Sequence, residues 1–335
     1  MSSYTLNIIF SLCLSFLITF YLIPFFCIIA RRFQFVDQPD GRIKKQKTAV
    51  PYMGGIAIFC GFLVSSAFVC PAGSQLFLFV IGLTILLFVG FLDDAVVMPP
   101  LQKFFGQFIA TFCFLKAGLY LKEQFFFNFW NIPISALWIL VVINAFNLID
   151  VMDGLAAITA LGAAGTFFII AIILNMQPVL PVLGAFIGAL LAFFWYNRPD
   201  AKIYLGDAGS LFIGGFLGAI PFLFNWGMYN QYGYLTPIII LAIPLLEITG
   251  LIVIRSYKKI PFYKASPDHF SSYLLSHGWS KVAILWYIGT LSTLLCVTSV
   301  LFVSNSIPPL PVFGLGFLFF INWLLSLKKQ PFVLF

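Results

Sequence analysis

Residues Asn147–Ala156 read NLIDVMDGLA and separate two apolar runs, ISALWILVVINAF (134–146) and AITALGAAGTFFIIAIIL (157–174). Asp150 and Asp153 stand about one helical turn apart between them. An isolated buried carboxylate costs several kcal/mol or takes up a proton. The pair must therefore be solvated, bound to a cation or paired with other groups.

The composition identifies the solvent. Of 335 residues, 61% are hydrophobic and 9% charged, too little polar surface to cover a water-soluble globule. Runs of spanning length, about 20 residues each, fall near 4–30, 53–70, 76–92, 103–121, 133–149, 155–174, 179–197, 209–226, 235–254, 282–303 and 308–327. The expected fold is all-α, a polytopic integral membrane protein with about eleven transmembrane helices. No soluble domain, repeat or linker is visible, so residues 1–335 read as one transmembrane domain. The first run lacks a basic segment before it and a cleavage site after it, and reads as a retained span. The six cysteines are scattered through apolar runs and read as packing residues.

Basic residues orient the chain, because Lys and Arg stay in cytoplasmic loops. With these spans every Lys and Arg except Lys116 and Lys122 falls on one side, placing the N-terminus outside and the C-terminus in the cytoplasm. Every acidic residue except Glu123 falls on that same side. The polar loops near 31–52, 93–107, 144–155, 198–210 and 255–281 thus share a face. The net charge of +7 suits an anionic inner leaflet.

Four polar stretches carry candidate chemistry. In FLDDAVVMPPLQKFFGQF (91–108), adjacent Asp93 and Asp94 repel and call for a cation, while Lys103 and Gln107 share a helix face. Taken alone, that pair also reads as a solvated loop salt-bridged to Lys103. In NAFNLIDVMDGLA (144–156), Asn144, Asn147 and Asp150 recur every third residue, and Asp153 with Gly154 marks a helix break. Ionisable groups at membrane depth are functional candidates when they line a wet cavity. In YLGDAGSLFIGG (204–215), Asp207 and Ser210 precede an apolar helix, where either one serves as an N-cap or, with Gly206 and Gly209, as part of a phosphate or metal loop. KASPDHFSSYLLSHGWS (264–280) holds both histidines, His269 and His277, downstream of Arg255, Lys258 and Lys259. Carboxylates without clustered Cys or His favour Mg²⁺ or Mn²⁺, which complete their shells with water and substrate phosphates. The expected substrate is a phosphate or diphosphate compound at the membrane surface.

Together these stretches resemble the polyprenyl-phosphate N-acetylhexosamine-1-phosphate transferases, the glycosyltransferase family 4 type that also includes the phospho-N-acetylmuramoyl-pentapeptide transferase. The matching patterns are the DD pair with Lys103 and Gln107, the NxxNxxDGxDGL motif at Asn144 to Leu155, the GDxGSLxxGG loop at Gly206 to Gly215, the His269 loop, and the glycine pair in VPYMGGIAI (50–58). The resemblance implies transfer of a sugar 1-phosphate, GlcNAc-1-phosphate in the favoured branch, from a UDP-sugar to undecaprenyl phosphate with release of UMP. It implies catalytic roles for Asp93, Asp94, Asp150, Asp153 and Asp207, and Mg²⁺ (with Mn²⁺ as substitute) held by Asp207, Asp94 and Asp150. Asp93 is the implied base or positioning group for the lipid phosphate. Lys103, Gln107, Asn144, Asn147, Gly206, Ser210 and His269 are the implied substrate-binding residues, with His269 facing the sugar diphosphate.

The partners it implies are a UDP-N-acetylhexosamine, undecaprenyl phosphate, membrane lipid and a second copy of the chain, with no nucleic acid. The implied place is a bacterial inner membrane with the site on the cytoplasmic face, at the first membrane step of an envelope glycan such as O-antigen or teichoic acid. Three positions depart from the pattern: HFSS (269–272) replaces HxHH, Val151 stands where Gly is usual, and Glu247 where Asp is common. The spacing of His269 before Gly278 favours the GlcNAc branch. The alternatives are the muramoyl-pentapeptide transferase and a carboxylate-lined secondary transporter, although the inverted repeat that a transporter often shows is not apparent.

Overall fold

The computed structural model describes residues 3–37, 49–70, 73–122, 128–261 and 267–328. Glu123, Asp40, Arg42, Lys44, Lys45, Lys47, Lys264 and Lys329, used above to orient the chain, lie outside the described residues. Helix α1 (Ser3–Arg32) leads into a two-stranded antiparallel ribbon of β1 (Val36–Asp37) and β2 (Val50–Pro51). The helices α2 (Gly54–Val69), α3 (Ser74–Val96), α4 (Pro100–Lys116), α5 (Asn131–Ile149), α6 (Leu155–Ile173) and α7 (Leu180–Asn197) follow. Then come α8 (Gly206–Ala219), the short α9 (Thr236–Ile240), α10 (Ala242–Tyr257), α11 (Phe270–Ser276), α12 (Lys281–Val303) and α13 (Pro309–Lys328). Apart from the ribbon, the expected all-α architecture holds among the described residues.

Among the described residues seven helices are long and apolar enough to cross a membrane, and an eighth counts if α9 and α10, bent by 70° at their junction, form one broken span. The remaining predicted runs are also helical, but they do not reach that standard. Helix α2 has 16 residues, roughly 24 Å at 1.5 Å per residue, short of a hydrocarbon core of about 30 Å. Helix α4 carries Gln102, Lys103 and Gln107 in its first two turns, which lowers its hydropathy. Helix α13 has an apolar stretch, Pro309–Leu325, below spanning length.

Helix α8 is the axis of the bundle. In its span 83% of the most apolar stretch is buried, against 17% in α1, and α2, α3 and α5 pack around it. Phenylalanine fills the space between: Phe186 stacks on Phe216 at 3.9 Å between ring centroids, and Phe62 and Phe79 meet Phe216 at 5.4 and 5.8 Å. Each buried aromatic ring removes a large apolar area and locks in edge or stacked geometry. The outward residues of α1, α4, α12 and α13, such as Tyr21, Leu101, Trp286 and Leu310, remain exposed, as lipid-facing positions should.

Two turns place the polar groups. Val97, at φ 49°, ends α3 in the left-handed region. Pro99 and Pro100 then start α4, with Pro at the first turn where a missing N–H costs nothing. The second turn depends on contact between α3 and α8. A Cβ added to Gly90 would lie 2.3 Å from the Asp207 carbonyl oxygen and 2.4 Å from the Ala208 nitrogen.

That contact predicts the effect of one methyl group. Gly90→Ala should force α8 away from α3 and cost about 1–3 kcal/mol as overpacking, seen as a lower unfolding temperature in detergent. Gly73→Ala, where nothing lies within 4 Å of the added Cβ, serves as the control. Equal unfolding temperatures for both variants would refute the close approach.

Candidate active site

The polar residues meet at one end of the bundle. This end comprises the C-terminus of α3, the start of α4, the C-terminus of α5 and the start of α8. Lys103 is at its centre. Its Nζ donates to Asp93 Oδ2 at 2.9 Å, to Asn147 Oδ1 at 3.3 Å and, in a very short contact, to Asp207 Oδ2. Three motifs that are distant in sequence are thereby joined through one ammonium group. Its side chain is 16% exposed, those of Asp93 and Asp207 14% and 31%, so the cluster is sheltered but reachable.

Asn147 extends the cluster, with Nδ2 donating to Asp207 Oδ1 at 2.8 Å and to Ser210 Oγ at 3.0 Å. One turn earlier, Asn144 and buried Gln107 exchange amide hydrogen bonds at 2.7 and 3.4 Å. That exchange fixes α4 against α5 and sets the height of Lys103. Asp93 also accepts from the Met98 backbone at 2.6 Å, which holds the turn between α3 and α4.

Asp94 is placed differently from its neighbour. Its two carboxylate oxygens accept from the backbone N–H groups of Asp207 and Ala208 at 2.8 and 3.1 Å. The side-chain cap expected from Asp207 or Ser210 is absent. A carboxylate from α3 does that work instead, on the unpaired N–H groups and positive end of α8. Gly206 makes this fit possible: it has φ +71°, and a Cβ there would lie 2.6 Å from Asp94 Oδ2. Asp94 thus positions Asp207.

The two acids of the second motif have separate surroundings. Asp153, 9% exposed, accepts from Lys281 Nζ at 2.7 Å and from the Ala201 backbone at 3.4 Å. The next residue, Gly154, donates to Asn197 Oδ1 at 2.9 Å, and Asn197 Nδ2 reaches the Ile203 carbonyl at 2.8 Å. Together they tie α12, the end of α7 and the loop before α8 to the break between α5 and α6. Asp150 follows α5 directly and makes no hydrogen bond among the described residues. Burial, and then the charges of Asp207, Asp94 and Asp153, push its carboxyl well above the usual carboxylate range.

A tyrosine pair borders the cluster. The Tyr52 and Tyr204 rings lie 5.9 Å apart. Burial and a hydrogen bond to Asp37 raise the Tyr52 phenol, and burial with nearby Asp153, Asp37 and Asp150 pushes Tyr204 up to about 12. At neutral pH both hydroxyls are protonated, and that of Tyr52 donates to Asp37.

His269 stands apart in the loop before α11, held by Glu247 of α10. Sequence reasoning brought together the residues around Lys103 but missed Lys281, Asn197 and the work of Asp94. Each of these acts across a long stretch of chain, and none falls at a recognisable local spacing.

The donor chemistry suits magnesium. Among the described residues no three His, Cys, Asp or Glu side chains form a ready metal cage, as zinc or calcium would require. Magnesium takes one or two carboxylates and fills its shell with water and substrate phosphates. Asp207, partly exposed, and Asp150, which makes no hydrogen bond among the described residues, are the carboxylates that would take that part.

A family model described as glycosyl transferase family 4 matches residues 76–225, which contain the Lys103 cluster but not the His269 loop. A probable undecaprenyl-phosphate N-acetylglucosaminyl 1-phosphate transferase of Bacillus subtilis (strain 168) is 28% identical over 325 residues, covering 92% of this chain and 90% of that protein. A phospho-N-acetylmuramoyl-pentapeptide-transferase of Halalkalibacterium halodurans is 33% identical over 322 residues, 86% of this chain and 95% of its own. The protein of the same name from Geobacillus thermodenitrificans is 30% identical over 323 residues, with 86% and 96% covered.

The Asp94 clamp has a direct readout. Hydrogen bonds to a charged acceptor contribute roughly 1.5–3 kcal/mol each, so Asp94→Ala should speed hydrogen exchange at the Asp207 and Ala208 amides by about tenfold or more. Asp94→Asn, which keeps one acceptor oxygen, should fall between. Unchanged exchange at both amides in Asp94→Ala would show that the clamp does not operate.

Proposed function

The chain belongs to glycosyl transferase family 4, and from that premise we propose that it transfers N-acetylhexosamine 1-phosphate from a UDP-sugar to undecaprenyl phosphate. The observation that carries this reading is the Lys103 cluster, where one ammonium group joins Asp93, Asn147 and Asp207 from three motifs. Such a site suits a pair of phosphorylated substrates. In the reaction an oxygen of the lipid phosphate bonds to the phosphorus that carries the sugar. The bridging oxygen leaves on UMP with the bonding electron pair, and a polyprenyl diphosphate-sugar remains. The transition state of such a transfer is loose and highly charged, so positioning and electrostatics supply most of the catalysis.

The residues divide that work. Lys103 holds an incoming phosphate and neutralises the acids around it. Asp93, fixed by Met98 and Lys103, accepts a proton from the lipid phosphate or orients it. Asp207 and Asp150 would hold Mg²⁺, which when bound neutralises the diphosphate and the leaving UMP. Asn147 and Ser210 keep Asp207 in one rotamer, and Gln107 with Asn144 keeps Lys103 at its depth. Asp153 and Lys281 brace the loops around the nucleotide.

The family patterns favour an undecaprenyl carrier in a bacterial inner membrane, about eleven spans of roughly 20 residues with the N-terminus outside, and the site facing the cytoplasm. A UDP-GlcNAc donor is supported by the Bacillus subtilis relative, whose match covers 92% of this chain, and by the His269 spacing. The product would begin an envelope glycan of the O-antigen or teichoic acid kind. A second reading, the pentapeptide nucleotide as donor, draws support from the relative at 33% identity.

The test is release of UMP by the purified protein in detergent with undecaprenyl phosphate, with and without Mg²⁺. UDP-GlcNAc should give lipid- and metal-dependent release, and Asp207→Asn should lower it by about 100-fold or more, the scale of losing one transition-state electrostatic contact. Release from the pentapeptide nucleotide alone would select the second reading. Silence from folded protein with every UDP-N-acetylhexosamine and the pentapeptide nucleotide would overturn the enzyme.

A further inference from the structure

Helix α10 carries a carboxylate where an apolar membrane helix should have none. Glu247 is 2% exposed, among Ile243, Pro244, Ile248 and Leu251, which are also buried. Leaving such a group unpaired costs several kcal/mol. Its partner is His269: Nδ1 lies 2.8 Å from Glu247 Oε1, and the imidazole is 8% exposed. The neighbouring Asp268 pairs at 2.5 Å with Lys258, the residue that caps the end of that helix. Buried Arg255 lies within electrostatic reach of both Glu247 and Asp268. The residue pair 268–269 is therefore fastened to α10 at two points, on either side of Arg255.

The same segment is fastened at its other end to the candidate active site. Helix α11 spans seven residues, about 10 Å at 1.5 Å per residue. The chain then reaches Lys281, which bonds Asp153 at 2.7 Å. Helix α10 itself packs on α5, the helix that carries Asn144 and Asn147. His269 is thus fixed to a helix that packs on α5, and its segment is tied through Lys281 to Asp153.

A carboxylate only accepts, so Nδ1 must carry the proton in this contact and Nε2 is left as the working nitrogen. Among the described residues Nε2 makes no hydrogen bond. The hydrogen bond at one ring nitrogen sets the tautomer of an imidazole, and losing the carboxylate behind a metal-bound histidine, the measured counterpart, typically costs about 10- to 100-fold in metal affinity or activity. We propose that Glu247 is a positioning residue that holds His269 as the Nδ1–H tautomer, with Nε2 turned toward the donor's diphosphate. This rests on the proposed phosphotransfer, and it assigns work to a residue that the motifs leave without any.

The experiment has a spectroscopic arm and a kinetic arm. With only two histidines in the chain, ¹⁵N-imidazole labelling in detergent resolves both, and exposed His277→Gln assigns the signals. The wild type should show the Nδ1–H tautomer at His269. Glu247→Gln, which keeps the shape, should bring in the other tautomer, and Glu247→Asp should keep the wild-type signature in part. In the UMP-release assay Glu247→Gln should lower kcat about 10- to 100-fold with a smaller change in KM. The double variant Glu247→Gln, His269→Gln should be no worse than His269→Gln alone, as for residues acting as a unit.

A His269 signal of the Nε2–H tautomer, or an unchanged tautomer in Glu247→Gln, overturns the proposal. So does wild-type turnover in Glu247→Gln beside an impaired His269→Gln. Losses that multiply in the double variant overturn it as well. If the wild type releases no UMP from any donor, the phosphotransfer reading fails on its own, and the spectroscopic arm still decides whether Glu247 sets the tautomer.

Discussion

The arrangement of the polar end depends on one carboxylate bonding to the backbone of another helix. Asp94 accepts from the N–H groups of Asp207 and Ala208, and this fixes where α8 begins and where the Asp207 side chain starts. The approach is allowed by two glycines: Gly206 has no Cβ to strike Asp94, and Gly90 none to strike the α8 backbone. Adjacent Asp93 and Asp94 repel if both face one space. The structure resolves this by direction, with Asp94 turned to the dipole of α8 and Asp93 turned to Lys103.

Lys103 then makes the remaining acids compatible. Asp93 and Asp207 lie close enough to share one ammonium group, an arrangement that is stable only while a cation stays between them. In the proposed reaction, an anionic diphosphate arriving with a metal would change the partners of Lys103 without greatly changing the local charge balance. Charged substrates would then bind such a site by exchange of ion partners, with the desolvation cost of the acids already met in the folded protein. The reciprocal amide pair of Gln107 and Asn144 is uncharged and unaffected by that exchange, so it can hold α4 against α5 throughout.

Much of this was legible in the sequence, for reasons tied to particular residues. Apolar runs report helices because the bilayer demands internal hydrogen bonding, and the runs did become helices. The DD pair, the Asn-Asn-Asp stripe and the Gly-Asp loop were visible because each packs several polar residues into a short apolar neighbourhood. That they share one face followed from the distribution of charges along the chain, and Lys103 as the group that joins them is shown by the structure. The spans proved harder, since α2 is short, α4 is polar at its start and α9 with α10 is sharply bent. Local reading failed where the partner is remote: one reading had Asp207 or Ser210 as the cap of α8, and the cap comes from a residue 113 positions earlier. Lys281 and Asn197 carried no local signal, and Glu247 had only its departure from the usual Asp.

The pair that opens the sequence question, Asp150 and Asp153, shows why one helical turn matters. Both acids lie in the break between α5 and α6, so neither needs to lie against lipid. Asp153 satisfies its charge within the protein, through Lys281 and the Ala201 amide, and in doing so draws the start of α12 to the site. Asp150 has no such partner among the described residues, and its neighbours are other acids that raise its proton affinity. Desolvated, with acids for neighbours and no hydrogen-bond partner among the described residues, Asp150 takes up a proton more readily than an ordinary carboxylate. A chain this apolar accommodates the two acids in opposite ways: one is paired with a lysine and closes the loops around the site, and the other is pushed toward its protonated form by burial and by its acidic neighbours.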